Sequence, residues 1–353
     1  MTRFVGMAVA AAVSLAASAA FAQGLSKQEF NVVGSFGNLS PYNKNEKPMW
    51  TDTVPKASGG AITGKIAPMT ELGLKGFEVL KLLNSGVYHF AHGVIGYVAE
   101  DPVFEGPDLA IIAQDIDTAR KITEAYKPVL DKAFQKKFNA KLLTLTSYPS
   151  NMLYCKPELK SIGDLKGKKI RVYSTTLGDF VEAVGGTGVT VTFAEVVPSL
   201  QKGVVDCGIT GTMPAYQGKW YEVAGYVMPL RVGWGIAFAA ATLKTWNGLD
   251  APTRAFLEKQ FADFENASWE TNKIEDSQGL ICTTGVGGKC DFGQPGAMKL
   301  VQPSAEDVKI RDKLMTDVII KKWAERCEKA SPGCVKDWND TVGKVIGVTA
   351  KAG

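Results

Sequence analysis

The amino-acid sequence predicts an α/β protein built as two lobes, and three observations lead there. The chain has 353 residues, more than a single core of usual size accommodates, so two lobes are the first expectation. Short apolar runs with period-two alternation take turns along it with longer stretches of helical spacing, the pattern of mostly parallel sheets flanked by helices. That pattern then begins afresh after residue 150.

Taken in order, 29–35 (EFNVVGS) reads as a first strand. LSPYNKNEKPMWTDTVPKASGG follows, punctuated by prolines around Trp50, and 61–69 alternates weakly as a second strand. KGFEVLKLL (75–83) has helical spacing and stops at Asn84-Ser85-Gly86. VYHFAHGVIGYVAE reads as a strand entering a glycine-containing loop. From Thr118 to Phe138, Ile122, Tyr126, Leu130, Phe134 and Phe138 recur about every four residues, a long amphipathic helix that Pro128 should kink or split. LLTLTSY is the last strand of the first half. In the second half MLYC and KIRVY are strands. Ser174 is placed to cap a helix over TTLGDFVEAV, which Gly185-Gly186 ends. GVTVTF is a strand, AEVVPSLQKG a short helix that Pro198 makes start late, and VVDCGIT another strand. From Asp250 onward, PTRAFLEKQFADFENASWETNKI reads as one helix of about 22 residues, hence about 33 Å long, with Leu257, Phe261, Phe264 and Ser268 on its inner face. Such a helix exceeds one small lobe and is expected to run along both. Residues 304–348 read as two helices broken at a turn between Cys327 and Cys334.

Composition narrows the class. The 45% hydrophobic and 22% charged content is ordinary for a globular chain, and the formal charge of +4 is spread without blocks of like sign, so charge supports binding neither to nucleic acid nor to a membrane surface. The first 22 residues are different. Arg3 is their only charge, MAVAAAVSLAASAA is almost continuously apolar, and Ala20-Phe21-Ala22 offers a small-x-small cleavage site before Gln23. The reading is an export signal cut after Ala22, which leaves a periplasmic chain of net charge +3 (the +4 less the one charge of Arg3). No cysteine follows the cut to carry a lipid, and no later segment approaches transmembrane length.

Export suits the six cysteines. Cys282 and Cys290 flank TTGVGGK, and Cys327 and Cys334 flank EKASPG. In an oxidising compartment both local pairs are expected as disulfides, each contributing roughly 2–3 kcal/mol. By elimination Cys155 would pair with Cys207, a pairing the sequence leaves open. The rival, a four-cysteine zinc site, finds no C-x2-C spacing here.

Residues 164–175, DLKGKKIRVYST, pose the functional question. Lys166, Lys168 and Lys169 crowd a turn at Gly167 and read as a solvated surface. Arg171 instead stands inside an apolar strand, either on its wet face or waiting for an anion. The stretch VTFAEVVPSLQKGVVDCGITG follows about twenty residues later. Together the two resemble the motifs D-L-K-G-x-K-I-R-V and F-x-E-V-x-x-x-L-Q-x-G-V-V-D-G of the solute receptors of tripartite ATP-independent periplasmic (TRAP) transporters. The likeness continues more loosely through the long helix and the C-terminal helices.

The resemblance implies a two-lobed, periplasmic binding protein-like fold, with lobes joined by hinge strands and spanned by one long helix. Residues 23–150 plus about 229–270 would form one lobe, and 151–228 plus about 271–353 the other. It also implies an organic acid bound in the cleft, delivery to the membrane permease subunits of a TRAP transporter, and no enzymatic activity or cofactor. A monomer is expected.

In that family the arginine of K-I-R-V pairs with the ligand carboxylate, and the matching residue is Arg171. The residues themselves agree. Arg171 lies near the C-terminal end of its strand, where open α/β sheets bind ligands, and a helix N-terminus follows at Ser174. A guanidinium also meets a carboxylate through two parallel hydrogen bonds, which an ammonium does not. Phe193 begins the F-x-E motif, where the family places an aromatic against the ligand, although a core phenylalanine would read the same. Glu195 is read as the cap of the following helix.

Two departures bear on the ligand. Thr210 stands where the family commonly has asparagine, with Gly211 and Thr212 offering backbone access. Asn151, in SYPSNMLYC, is the nearest polar residue where many members carry a second arginine. Without that arginine, and with many aromatics, the sequence leans to a monocarboxylate with an apolar or aromatic body. In the first half His89, Tyr88 and Tyr97 are candidate contacts, and Trp234 is a candidate cleft wall. His89 and His92 are spaced for a metal but have no accompanying carboxylate or cysteine, so no metal is assigned.

Two other functional classes compete with this reading. A secreted hydrolase would need a positioned nucleophile and base, a carboxylate pair or a metal, and the chain contains no G-x-S-x-G, no H-E-x-x-H and no phosphate-loop lysine motif. A periplasmic sensor partner would look identical in sequence to a transport receptor.

Overall fold

The computed structural model describes residues 24–98 and 101–352; the segment read as an export signal lies outside them. The chain forms two mixed sheets. The first contains β1 (Gln28–Gly34), β2 (Ile62–Pro68), β3 (Phe90–Val94), β4 (Ala140–Ser147) and β10 (Ile236–Thr242), in the order β2-β1-β3-β10-β4. The second contains β5 (Asn151–Cys155), β6 (Lys169–Val172), β7 (Thr187–Thr190), β8 (Cys207–Gly211), β9 (Tyr226–Gly233) and β11 (Lys299–Leu300), in the order β11-β9-β5-β8-β6-β7. One strand in each sheet runs against its neighbours, β10 in the first and β5 in the second.

These two strands follow directly from the chain's path between lobes. After β4 the chain crosses to the second sheet and enters it as β5. After β9 it crosses back and enters the first as β10. The two crossings lie side by side, since Tyr148 N donates to the carbonyls of Trp234 and Gly235, each at 3.1 Å. Gly235 has φ +63, a left-handed conformation that suits glycine. The return to the first lobe, expected near residue 229, falls at 234, because β9 stays paired with β5 as far as Gly233.

The helix Ile116–Phe138 runs unbroken through Pro128, capped by Asp115 at its start and by left-handed Asn139 at its end. The long helix spans Ala251–Thr284, 34 residues against the 22 expected, which makes it about 51 Å long. Within it, past the polar run EDSQ, Gly279 makes room for a close neighbour. A Cβ there would lie 2.1 Å from the Met213 backbone nitrogen, so only glycine lets the short helix Thr212–Gln217 rest on the long one. One end packs in the first lobe, with Leu257 and Phe261 beside Phe30 and Trp50. The other end lies against the second lobe.

All six cysteines are paired, as Cys155–Cys207, Cys282–Cys290 and Cys327–Cys334. The first bridge links directly opposed residues of β5 and β8. The C-terminal helices close the back of the molecule across both lobes. Trp323 and Trp338 donate to the carbonyls of Pro102 and Gly106, and Asp307 accepts from Ile162 N. Among the described residues no helix is long and apolar enough to cross a membrane.

Candidate functional site

The parallel strands of both sheets present their C-terminal ends, and β5 and β10 their N-terminal ends, to a cavity between the lobes, where open α/β sheets place ligands. Phe36 follows β1, Val94 ends β3, and Tyr148 follows β4. From the second lobe come Arg171 in β6, Tyr173 after it, Phe193 after β7, and Thr210 with Gly211 at the end of β8. The cleft is shut over this cavity. Phe36 meets Phe193 with ring centroids 5.5 Å apart, and Tyr97 meets Tyr173 at 5.6 Å. At the rim, Lys75 pairs with Glu195 at 2.9 Å, and Ser40 N donates to Gln217 Oε1 at 3.0 Å. Glu195 therefore reaches across the cleft; its side chain makes no cap to the helix that follows.

Among the described residues Arg171 is the one charged side chain in the cavity wall. It is 1% exposed, yet among the described residues no carboxylate forms an ion pair with it. Protein oxygens hold it in place instead: Nε donates to Val191 O at 2.9 Å, Nη1 to Ile209 O at 2.8 Å and Nη2 to the Tyr97 hydroxyl at 3.2 Å. The guanidinium also lies over the rings of Tyr173 and Trp220, at 5.1 and 6.0 Å. A guanidinium has five N–H groups, so one on each terminal nitrogen stays available. A buried cation costs free energy unless a partner neutralises it, and Arg171 borders the cavity.

The remaining walls are aromatic or neutral. Burial raises the phenols of Tyr97, Tyr148 and Tyr173 above the usual tyrosine range, so all three stay protonated. Asn151 Nδ2 donates to the Tyr173 hydroxyl at 2.7 Å. The Tyr148 hydroxyl is buried and has no hydrogen-bond partner among the described residues.

Of the residues singled out from sequence, Arg171, Phe193, Thr210, Gly211, Asn151 and Tyr97 line this cavity. The other four do not. Trp234 stands at the crossing, but its indole is buried and donates to Ala113 O at 3.0 Å, bracing the wall from behind. Thr212 turns to the long helix and donates to Asp276 O at 2.8 Å. Tyr88 and His89 precede β3, whereas the cavity lies at that strand's far end, about 16 Å further along. His89 accepts from Asn31 N there. His92 is buried within the sheet and accepts from Trp50 Nε1 at 3.1 Å; burial lowers its pKa to about 3, so it is neutral. Among the described residues no cluster of His, Cys, Asp and Glu is arranged to hold a metal. Phe36, Tyr148, Tyr173 and Gly235 line the cavity without having been singled out. Each lies one or two residues past a strand end or in a crossing, and that position was the available signal.

Residues 35–284 match the family described as bacterial extracellular solute-binding protein, family 7. The chain belongs to this family. As a family 7 solute-binding protein it is an extracytoplasmic receptor of the TRAP type and not an enzyme. It is 27% identical over 234 residues to the C4-dicarboxylate-binding periplasmic protein DctP of Rhodobacter capsulatus, covering 64% of this chain and 68% of that one. Among solved structures, a TRAP periplasmic solute-binding protein from Desulfovibrio salexigens with bound orotic acid superposes with a TM-score of 0.79 at 16% identity, covering 90% of this chain and 100% of the other. The Bordetella pertussis receptor DctP7, which binds pyroglutamic acid, gives 0.75 at 19% identity, with 88% and 99% covered. At these identities the structural matches speak for the shared fold.

Proposed function

We propose that this family 7 receptor binds an organic acid through one carboxylate seated on Arg171. The observation that carries the reading is a fully buried guanidinium with two N–H groups to spare and no acidic partner among the described residues. Phe193, Thr210, Asn151 and Tyr97 complete the contact set. The aromatic walls and the single cation favour one carboxylate on an apolar or cyclic body, and relatives that bind pyroglutamic and orotic acids are consistent with it. The acid meets Arg171 and the second-lobe loops first. The first lobe then closes, excludes water and strengthens the ion pair. In this reading the mature chain begins after Ala22, works as a monomer and presents its closed form to the permease subunits of a TRAP transporter.

A thermal-shift screen against a panel of organic acids tests the reading, because a ligand at about 100 times its dissociation constant stabilises by about 2.7 kcal/mol. Monocarboxylates with compact rings or short chains should raise the melting temperature, and Arg171→Ala should abolish the shift. Shifts produced only by sugar acids or dicarboxylates, or retained in Arg171→Ala, would overturn it.

A further inference from the structure

Two acidic side chains stand directly behind the cavity wall, and neither has a cation partner among the described residues. Glu46 is 4% exposed and accepts from Ser35 N at 2.7 Å, one residue before the wall residue Phe36. Asp108 accepts from Trp234 N at 3.3 Å and Ile236 N at 3.0 Å, the residues on either side of wall residue Gly235. Each carboxyl thus sits one hydrogen bond behind the surface a ligand would touch, one in the first lobe and the other at the crossing. We infer that Glu46 and Asp108 form a charge filter that admits monoanions to this cleft and rejects dianions. The inference rests on the carboxylate reading of Arg171 and adds to it what the ligand's far end is allowed to be.

Hydrogen bonds steady the two acids, but among the described residues no cation pairs with either, and Arg326 nearby is paired with Glu105 and Asp179. Around Glu46 stand the phenols of Tyr42 and Tyr148, the neutral His92, and Ser268 and Asn272 of the long helix. Lys44, on the same turn as Glu46, is spent on Glu275 at 3.0 Å. Around Asp108 stand three backbone N–H groups, the Tyr173 phenol and a second acid, Glu105. With one cation in the wall and two acids behind it, a single ligand carboxylate satisfies Arg171. A second negative charge would meet aromatic rings and two carboxyls that lack a cation partner, at low dielectric.

The filter depends on pH, and the sign follows from the direction of the shifts. Loss of solvation pushes Glu46 up to about 7 and Asp108 up to about 6. Below these values both are protonated and exert no repulsion. As pH rises through 6 and then 7 they ionise, and the penalty on a dianion grows faster than that on a monoanion because the interaction scales with ligand charge.

Isothermal titration with acids of matched skeleton, butanoate against succinate and pentanoate against glutarate, tests this between pH 6 and 9. The monocarboxylate should bind at least about 30-fold more tightly at pH 8, and the gap should shrink severalfold at pH 6 and in Glu46→Gln, whose amide oxygen can still accept from Ser35. The filter is overturned if succinate binds as tightly as butanoate at pH 8. It is overturned equally if the gap is the same at every pH and unchanged in Glu46→Gln. Arg171→Ala separates the two layers. Loss of all acid binding upholds the carboxylate reading whatever the filter does, whereas retained binding removes both.

Discussion

The two sides of the cleft are built from different materials. The second lobe supplies a fixed cation, with Arg171 held by two carbonyls of its own lobe and stacked against Tyr173 and Trp220. The first lobe supplies a cover without charge at its surface, formed by Phe36, Leu39, Val94 and Tyr97, with an acid, Glu46, one layer behind. The contrast teaches an order of events. A side that is preorganised for an anion can capture it alone, while an apolar cover gains only when it meets a ligand already in place.

The most direct way to break the contrast is to remove the cation. Arg171→Ala should cost roughly 2–4 kcal/mol of acid binding in calorimetry while circular dichroism stays unchanged. Arg171→Lys should recover part of that loss, since an ammonium supplies charge without the planar fork.

The next largest effect belongs to the acid behind the cover. With its carboxyl raised from 4.5 to about 7 in the fold, Glu46 favours the folded state below about pH 4.5, and that contribution, on the order of 3 kcal/mol, is lost as pH rises through 7. Chemical denaturation should therefore show stability falling between pH 5 and 8, and Glu46→Gln should flatten the curve. An identical slope in the variant would mean that Glu46 is not the group responsible.

Thinning the cover itself comes third. Phe36→Ala removes a ring that meets Phe193 and should weaken binding about tenfold, chiefly by faster dissociation, because the capturing side is intact. Stopped-flow release of the ligand reads this directly. The smallest effect is expected at the rim. Lys75 and Glu195 are half exposed, and Lys75→Glu should change affinity by less than about threefold, with Lys75→Glu/Glu195→Lys returning to the starting value.

Much of the capturing side was legible in the sequence because it is carried by contiguous motifs. KIRV placed Arg171 within a strand, and the second motif placed Phe193 and Thr210 at the ends of two others. The cover was harder to read for a physical reason. Its residues come from separate strand ends, and periodicity reveals that a strand exists without saying which end meets the other lobe. Tyr88, His89 and Tyr97 lie within ten residues of each other, yet the direction of β3 puts only Tyr97 at the cavity. Strand direction combined with the carboxyl-end rule would have separated them. Glu46 left no trace, since it ends a π-helical turn in a proline-punctuated stretch with no apolar period. Trp234 illustrates the converse error: it stands at the crossing, but its indole N–H needed a buried acceptor and found Ala113 behind the wall.

The long helix sets a mechanical limit on how the lobes part. Trp269 and Asn272 tie it to the carbonyls of Leu145 and Ser147 in the first sheet, and Gly279 with Asp276 ties it to Thr212 and Met213 in the second lobe. Between Asn272 and Asp276 there is a single helical turn, about 6 Å of rod. Inside that turn Glu275 pairs with Lys44 of the first lobe, so the helix passes from one lobe's contacts to the other's within these few residues. Any parting of the lobes about the two crossing segments would therefore have to bend this turn or break the Lys44–Glu275 pair.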